Sequence, residues 1–394
     1  MKHLYIHIPF CHRRCSYCDF NSYANMDDRI EPYVAALCAE LAMLASITPT
    51  PPVSAEAAAL RPTIFLGGGT PTMLTLDQIE RVLVAASQIV PLAGAEISCE
   101  ANPGTLLDPD YLRGLRQLGV NRLSLGVQSL HNPTLRILGR IHSAEEAHQS
   151  YLQAREAGFE SISLDFIFGL PGQTLEDWET TLNEISTWQP DHLSLYSLIL
   201  EEQTPLYAQV TAGRIRLPDD DRSATMYEMA IEHLAANGYV QYEISNFARS
   251  HTAGPLPSHA CQHNLAYWLN SDYLAAGAGA YGHLTLPPDP HRYANRLTIE
   301  GYMAALDAGQ RPLAEIIPLS PADICAETMM MGLRLNIGVG AAHFAARCGH
   351  PLDAIYSSEI ADLLAQGLLQ RDTERVWLTP RGRMIGNQVF QRFL

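Results

Sequence analysis

The sequence of 394 residues contains no apolar run long enough to cross a bilayer. Its first ten residues, MKHLYIHIPF, lack the apolar core and the small-residue cleavage site of a secretory signal. We therefore expect a cytoplasmic protein without a transmembrane segment, in a compartment where thiols stay reduced. Peripheral contact with a membrane is compatible with these features.

Basic residues are scarce. The chain has 26 Lys and Arg against 42 Asp and Glu, for a formal net charge of −16, and its one dense basic run is His12-Arg13-Arg14. A chain this acidic is not expected to bind nucleic acid, because phosphate backbones attract clustered positive charge.

Cysteines are few, but three of the eight lie close together. Cys11, Cys15 and Cys18 form a CxxxCxxC pattern. Three thiolates can hold three irons of a [4Fe–4S] cluster and leave the fourth iron open to a small molecule. Structural zinc is an alternative that needs a fourth ligand, for which His7 or His12 would have to serve. A disulfide is disfavoured by the reducing compartment.

Strand and helix patterns alternate along the first half of the chain. Strands are predicted at His3–Ile8, Thr63–Leu66, Glu96–Ala101, Arg122–Val127, Ser161–Phe168 and His192–Ile199, with amphipathic helices between them. This order predicts an α/β fold with a parallel sheet, in the form of a partial (β/α)6 TIM-like barrel. A doubly wound sheet is the alternative, but its GxGxxG fingerprint does not follow the first strand.

Three domains are predicted. The barrel spans residues 1–215, an extension of the barrel spans 216–310, and a mostly helical C-terminal domain spans 311–394. A helix, a short hairpin and a helix near the C-terminus predict a winged-helix-like unit. Within the extension, a connector is expected at Leu217–Arg222 and a strand at Val240–Ser245.

Polar residues lie where the predicted barrel strands end. A Gly67-Gly68-Gly69-Thr70 turn follows the second strand, and Arg140 lies in a later loop. Glu100, Gln128 and Asp165 lie at or within strands three, four and five. Each could be a satisfied structural hydrogen bond. Because strand ends of a barrel meet at one mouth, they could together line a ligand site, and an adenosyl ligand needs such hydrogen-bond partners.

The cysteine pattern, with Tyr17 before the third cysteine, resembles the radical S-adenosylmethionine (SAM) superfamily. GGGTPT, EANPG, LGVQS, GRIHS and DFIFGLPGQT are similar to its branch of oxygen-independent coproporphyrinogen III oxidases. The resemblance implies that Cys11, Cys15 and Cys18 hold a [4Fe–4S] cluster reduced by a donor such as a flavodoxin or ferredoxin. The SAM site that it implies comprises Tyr5, Tyr17, Gly68, Gly69, Thr70, Glu100, Gln128, Arg140, Asp165 and Ile199.

Two features separate this chain from the oxidases. Phe20 stands where they carry a fourth cysteine, and the motif HNLAYW resembles the HNxxYW motif of the HemW-type haem chaperones of the same branch. That resemblance implies haem bound by His263, Asn264, Tyr267 and Trp268. It also implies delivery to haem-dependent respiratory proteins, and homodimers in some states.

Other functions stay open at this point. Radical decarboxylation of coproporphyrinogen III is one, and a radical methyltransferase or cyclopropanase of the same branch is another. A zinc-binding module without enzymatic activity is the alternative from a different class.

Overall fold

The structure, a computed structural model, describes residues 1–47, 54–106, 108–285 and 289–394. The strands are β1 His3–Ile8, β2 Phe10–Cys11, β3 Tyr23–Ala24, β4 Thr63–Gly68, β5 Glu96–Ala101, β6 Arg122–Gln128, β7 Ser161–Phe168, β8 His192–Ser197, β9 Tyr239–Gln241, β10 Asn246–Arg249, β11 Leu274–Ala276, β12 Tyr281–Leu284, β13 His291–Asn295, β14 Leu313–Pro318, β15 Val339–Gly340, β16 Leu369–Arg371 and β17 Arg375–Leu378.

The helices are α1 Ile30–Leu44, α2 Ala55–Ala59, α3 Leu76–Ala86, α4 Pro109–Gln117, α5 Asn132–Leu138, α6 Ala144–Glu156, α7 Leu175–Trp188, α8 Pro205–Thr211, α9 Asp220–Ala236, α10 Gln262–Trp268, α11 Ile299–Asp307, α12 Pro321–Gly332, α13 Ala341–Cys348, α14 Leu352–Ala365, α15 Pro380–Met384 and α16 Gly386–Phe390. Short 3₁₀ turns lie at Asp27–Arg29, Pro71–Met73 and Gln391–Phe393. No helix in the described part of the chain is long and apolar enough to span a membrane.

A nine-stranded sheet forms the centre of the fold, in the order β11-β1-β4-β5-β6-β7-β8-β10-β9. Strands β1 and β4 to β8 are parallel neighbours in chain order, and β11 adds a further parallel strand beside β1. A doubly wound sheet would reverse its strand order at a switch point, and this sheet does not. The structure therefore confirms the α/β barrel-type fold.

The sheet has an apolar face and a polar face. Leu4, Ile6 and Ile8 of β1 belong to the large hydrophobic core that also contains apolar residues of α1, α3, α4, α6 and α7. The alternate residues of β1 point to the other face, which we call the inner face. Polar side chains cluster on this inner face, including His3, Thr63, Glu96, Arg122 and His192. The period-2 alternation thus places these polar residues of β1, β4, β5, β6 and β8 on the same face of the sheet.

Two sequence predictions after β8 are only partly correct. The strand predicted at Val240–Ser245 overlaps β9 at Val240 and Gln241, but the residues after Gln241 form the turn of a hairpin in which β9 and β10 pair antiparallel. Glu243 stabilises that turn by accepting a hydrogen bond from the backbone N–H of Ser245. The connector predicted at Leu217–Arg222 contains the start of α9, because the Asp219 side chain caps the helix through the N–H of Arg222.

The end of the chain is helical, as predicted. Helices α12, α13 and α14 are followed by the β16–β17 hairpin and then by α15 and α16, so the expected order of helix, hairpin and helix is confirmed. This part has its own hydrophobic core, which includes Met329, Phe344, Ile360 and Phe390. A separate antiparallel sheet, β12-β13-β14, lies earlier in the chain.

Candidate functional site

The cysteine loop follows β1 and is held in place by backbone contacts with α5. The N–H of Ser16 donates to the carbonyl of Leu138 (2.9 Å), and its hydroxyl donates to the carbonyl of Ile137 (2.8 Å). Cys11, Cys15 and Cys18 are free thiols and each is half-buried. Burial raises the pKa of the Cys11 and Cys18 thiols, so they carry protons until a metal displaces them.

The three thiols of the cysteine loop do not converge on one point. Across the described ranges, no set of three or more His, Cys, Asp or Glu side chains converges closely enough to hold one metal ion. A four-iron cluster asks for a different arrangement, because each thiolate binds its own iron. The hydroxyl of Thr70 lies 3.6 Å from Cys11 Sγ, and Nη1 of Arg140 lies 3.5 Å from Cys15 Sγ, so these two sulfurs each have a polar neighbour able to stabilise a negative charge.

The glycine turn begins within β4, whose last two residues are Gly67 and Gly68, and it packs directly against the segment that leads into the cysteine loop. The N–H groups of Gly69 and Thr70 donate to the carbonyls of Ile8 (2.8 Å) and Phe10 (2.7 Å). A Cβ atom at Gly69 would lie only 2.5 Å from the Phe10 carbonyl oxygen, so a side chain would push the two segments apart. The absence of side chains at these glycines therefore lets the carboxyl end of β4 pack closely against the segment that leads into the cysteine loop.

Arg140 connects the cysteine loop to the ends of β5 and β6. Its guanidinium donates to the Oδ1 of Asn102 and to the carbonyl of Gly126. Asn102 in turn donates to the Thr70 hydroxyl at 3.1 Å. The Nε of Arg140 is buried and has no hydrogen-bond partner among the described residues, which leaves one donor of this guanidinium unsatisfied. Asn102 was missed from sequence, although it lies in the EANPG motif.

Gln128 lies beside this guanidinium. It ends β6 with a left-handed backbone (φ 68°), and a Cβ atom at Gly126 would lie 2.9 Å from its side-chain nitrogen. An amide in this position can donate to or accept from a ligand in the mouth of the barrel.

Two carboxyl groups complete the polar set. Glu100 accepts a hydrogen bond from the N–H of Gly68 at 2.9 Å, yet burial raises its pKa to about 7. Asp165 accepts from the hydroxyls of Ser124 (2.9 Å) and Ser163 (3.2 Å), and burial raises its pKa despite these bonds. Both carboxyl groups can therefore exchange a proton with a ligand or accept hydrogen bonds from its hydroxyl groups.

The Glu100 carboxyl predicts a pH dependence of stability. Its pKa in the folded chain is raised to about 7, so between pH 4.5 and 7 the folded state holds more protons than the unfolded state. The free energy of unfolding should fall as pH rises through this window, by on the order of 2 kcal/mol. Urea unfolding at pH 5 and 7.5 should show that Glu100→Gln removes this part of the slope. The exposed Glu232→Gln should keep it, and an equal loss in both variants would contradict the assignment.

The remaining predicted SAM residues, Tyr5, Tyr17 and Ile199, differ in their contacts and in their exposure. The Tyr5 hydroxyl is 2.9 Å from Nδ1 of His7 on the inner face, and Tyr17 packs beside the apolar cluster that includes Leu138 and Leu206. Burial raises the pKa of both tyrosines. Ile199 lies beyond β8 and is 69% exposed, free to serve as an apolar surface. The structure thus gathers the cysteine loop, glycine turn, Arg140 and Glu100 at the carboxyl ends of the strands.

The HNxxYW residues are not gathered there. His263 lies on α10 at the opposite end of the strands, and its Nδ1 is 2.7 Å from the hydroxyl of Thr63, the first residue of β4. Its Nε2 is 2.9 Å from the hydroxyl of Tyr267, and the side chain is buried, with 1% exposure. Burial lowers its pKa to about 3, so the imidazole is neutral.

The other members of the motif share this end of the barrel. Asn264 is half-buried on α10, and the Trp268 ring packs beneath the guanidinium of Arg334 at 4.8 Å. Phe65 separates the two ends, because its ring stacks on His263 at 5.1 Å while a Cβ at Gly67 would touch it at 2.9 Å. The haem motif therefore lies next to Phe65 and to Tyr5, whose ring centre is 6.4 Å from that of His263, so one predicted SAM residue is also a neighbour of the haem motif.

The chain is similar to known proteins over its full length. Residues 5–185 match the family model of the radical SAM superfamily, and residues 319–385 match that of the HemN C-terminal domain. The "Heme chaperone HemW" of Bacillus subtilis (strain 168) is 37% identical over 100% of this chain and 99% of its own length. The protein of that name in Escherichia coli (strain K12) is 34% identical over 99% of this chain and 97% of its own length.

The fold of this chain is also similar to that of a solved structure. The coproporphyrinogen III oxidase (HemN) of Escherichia coli, described as a radical SAM enzyme, superposes with a TM-score of 0.81 and 25% sequence identity, over 99% of this chain and 89% of that one. The radical SAM superfamily implies a [4Fe–4S] cluster and SAM, and the thiols, the glycine turn and the donor on Arg140 fit both. Given its full-length similarity to the bacterial chaperones, the chain belongs to the HemW family within the radical SAM superfamily.

Proposed function

We propose that this protein is a haem chaperone, which binds haem and transfers it to haem-dependent respiratory proteins. The observation that carries the proposal is the similarity along the whole chain, at 37% identity, to a relative named as a heme chaperone. Because the match covers barrel, extension and C-terminal region together, it supports the function of the whole protein rather than of one domain.

In this proposal Cys11, Cys15 and Cys18 hold the cluster. When bound and reduced, the cluster supplies an electron that can cleave a carbon–sulfur bond of SAM. Arg140 stabilises the Cys15 sulfur and, through Asn102, fixes the hydroxyl of Thr70 beside Cys11. A donor such as a flavodoxin or ferredoxin would supply the electron.

The other residues of the mouth would bind SAM. The turn of Gly68, Gly69 and Thr70 would receive its methionine end, because the two glycines have no side chain that would keep a ligand away from the backbone. Glu100, Gln128 and Asp165 offer acceptors for ribose hydroxyls. Tyr5, Tyr17 and Ile199 offer aromatic and apolar surface to the adenine.

Haem would bind through the HNxxYW motif. Imidazole is a standard axial ligand of haem iron, and aromatic neighbours such as Tyr267 and Trp268 can stack on a porphyrin. In the folded chain both ring nitrogens of His263 are already hydrogen-bonded. Coordination through this residue therefore requires α10 to give up at least one of those bonds.

Coproporphyrinogen III oxidation is the second candidate, favoured by the TM-score of 0.81 to an enzyme with that activity. Phe20, two residues after Cys18, opposes it, because the oxidases carry a cysteine there. The Phe20 side chain is 61% exposed at the edge of the cysteine loop, where it can contribute apolar surface but no metal ligand.

One experiment separates the candidates. The cluster is reconstituted anaerobically, and the protein is then supplied with SAM, a reductant and either coproporphyrinogen III or haem. We expect haem to be retained, with its Soret absorption changed in His263→Ala, and no tetrapyrrole product. Formation of protoporphyrinogen IX would overturn the chaperone proposal, as would failure to retain haem.

A further inference from the structure

The helix that carries the haem motif is fastened from two sides. On the barrel side, the backbone N–H of His263 donates to Glu96 (3.2 Å), and its ring is bonded to Thr63. On the other side, the C-terminal region contacts the end of α10. The Arg334 guanidinium lies between two aromatic rings, 4.8 Å from the centre of Trp268 and 5.6 Å from that of Phe390.

A second contact lies just past the helix. Asn270 donates to the hydroxyl of Thr328 on α12 at 3.2 Å, and both side chains are buried. We call the set Trp268, Asn270, Thr328, Arg334 and Phe390 the latch. Since α10 is only seven residues long, it cannot hold its position by its own backbone hydrogen bonds, so packing of this kind decides where it sits.

The latch is imperfect. Nε1 of Trp268 and Nε of Arg334 are both buried and lack hydrogen-bond partners within the part of the chain that the structure describes. Burial without a partner costs free energy that would be recovered on opening, because both groups would then reach water. The latch therefore combines favourable stacking of Arg334 on two rings with two unsatisfied donors. This combination favours a contact that can open rather than one that holds α10 permanently in place.

We propose that Arg334 is a positioning residue for haem binding: through Trp268 it holds α10 closed and so controls how often His263 is available to haem iron. The inference rests on the proposed function, in which His263 binds haem. The closed state has no free imidazole nitrogen, so the apparent affinity for haem equals the affinity of the open state multiplied by the fraction of molecules whose α10 is open. Weakening the latch increases that fraction without touching the ligand.

The test uses the full chain with its cluster reconstituted. Arg334→Ala removes the stacking, Arg334→Lys keeps the charge but not the planar group, and Arg392→Ala is the control. Arg392 lies in the same C-terminal region but pairs with Asp362 on the surface. Hydrogen exchange of the amides of residues 262–268 is measured without haem, and the rate of Soret change is measured after mixing with haemin.

Arg334→Ala should raise both rates about tenfold, the equivalent of one buried cation–π contact. Arg334→Lys should give a smaller increase, whereas Arg392→Ala and the amides of β1 should match the unmodified protein. If Arg334→Ala folds but shows the same hydrogen-exchange rate in α10 and the same rate of haem uptake as the unmodified protein, the proposal is overturned. If Arg334→Ala does not fold, Arg334→Lys decides by the same criterion.

The outcome also separates this inference from the proposed function. If no variant binds haem, the chaperone proposal fails, but the exchange of α10 still decides whether the latch exists. If haem binds at the same rate in every variant and still depends on His263, the chaperone proposal stands and the latch is wrong.

Discussion

Cys15→Ser should leave the reconstituted protein with almost no iron–sulfur cluster. With serine at this position only Cys11 and Cys18 remain as thiolates, and a serine hydroxyl is not ionised at neutral pH, so it is a poor ligand for iron. The Cys15 sulfur is also the one that Arg140 contacts at 3.5 Å. Iron and sulfide analysis after anaerobic reconstitution should fall from about four of each per chain to background.

Cys38→Ser is the matched control for this change. Cys38 is a free, half-buried cysteine on α1 and does not belong to the loop. Its replacement should leave the iron and sulfide content unchanged. A Cys15→Ser protein that assembled a full cluster, or an unmodified protein that took up zinc in its place, would contradict the assignment of the loop.

Glu40→Ala should destabilise the fold by about 3–5 kcal/mol. The Glu40 carboxyl is fully buried and accepts hydrogen bonds from the N–H of Gly277 (2.8 Å), the amide of Asn295 (2.6 Å) and the hydroxyl of Tyr302 (2.6 Å). These partners lie after β11, on β13 and on α11, so one side chain joins α1 to three later elements. Alanine would leave the buried Gly277 N–H and Tyr302 hydroxyl without this acceptor, and it would leave the Asn295 amide with only its bond to the Gly277 carbonyl.

Glu40→Gln tests whether the bonds or the charge matter. Burial raises the pKa of Glu40, which favours its neutral form, and glutamine has nearly the same shape but keeps only one acceptor oxygen. That oxygen is enough for the Gly277 N–H and the Tyr302 hydroxyl but not for Asn295. We therefore expect a cost of only about 1 kcal/mol in urea unfolding. Equal losses for alanine and glutamine would show that the hydrogen bonds are not what this residue contributes.

The barrel was predictable because its strands alternate strictly. The predicted bounds are the same as those in the structure for three strands, His3–Ile8, Glu96–Ala101 and Ser161–Phe168. Their apolar residues belong on the core face and their polar residues on the inner face, and only one pairing register satisfies both. Strand β11 was not predicted, because its Leu-Ala-Ala sequence and the glycines that follow resemble a loop. It becomes a strand only by pairing with β1.

In the site, too, some residues could be placed from the sequence and others could not. Residues at strand ends could be placed in one mouth from topology alone, since the carboxyl ends of parallel strands share an edge. The position of His263 could not, because α10 is a short helix after an antiparallel hairpin, and nothing in its sequence says which end of the barrel it covers. Its burial under Phe65 and its contact with Arg334 depend on tertiary packing.

The central claim is that haem is carried and handed on, and the most direct measurement is its transfer. The reconstituted protein is loaded with haem, freed of excess, and mixed with the haem-free form of a haem-dependent respiratory protein, while the acceptor's own absorption is followed. We predict transfer faster than from serum albumin carrying the same amount of haem, and slower from His263→Ala. Transfer no faster than from albumin, or no haem left on the protein after removal of the excess, would contradict the account.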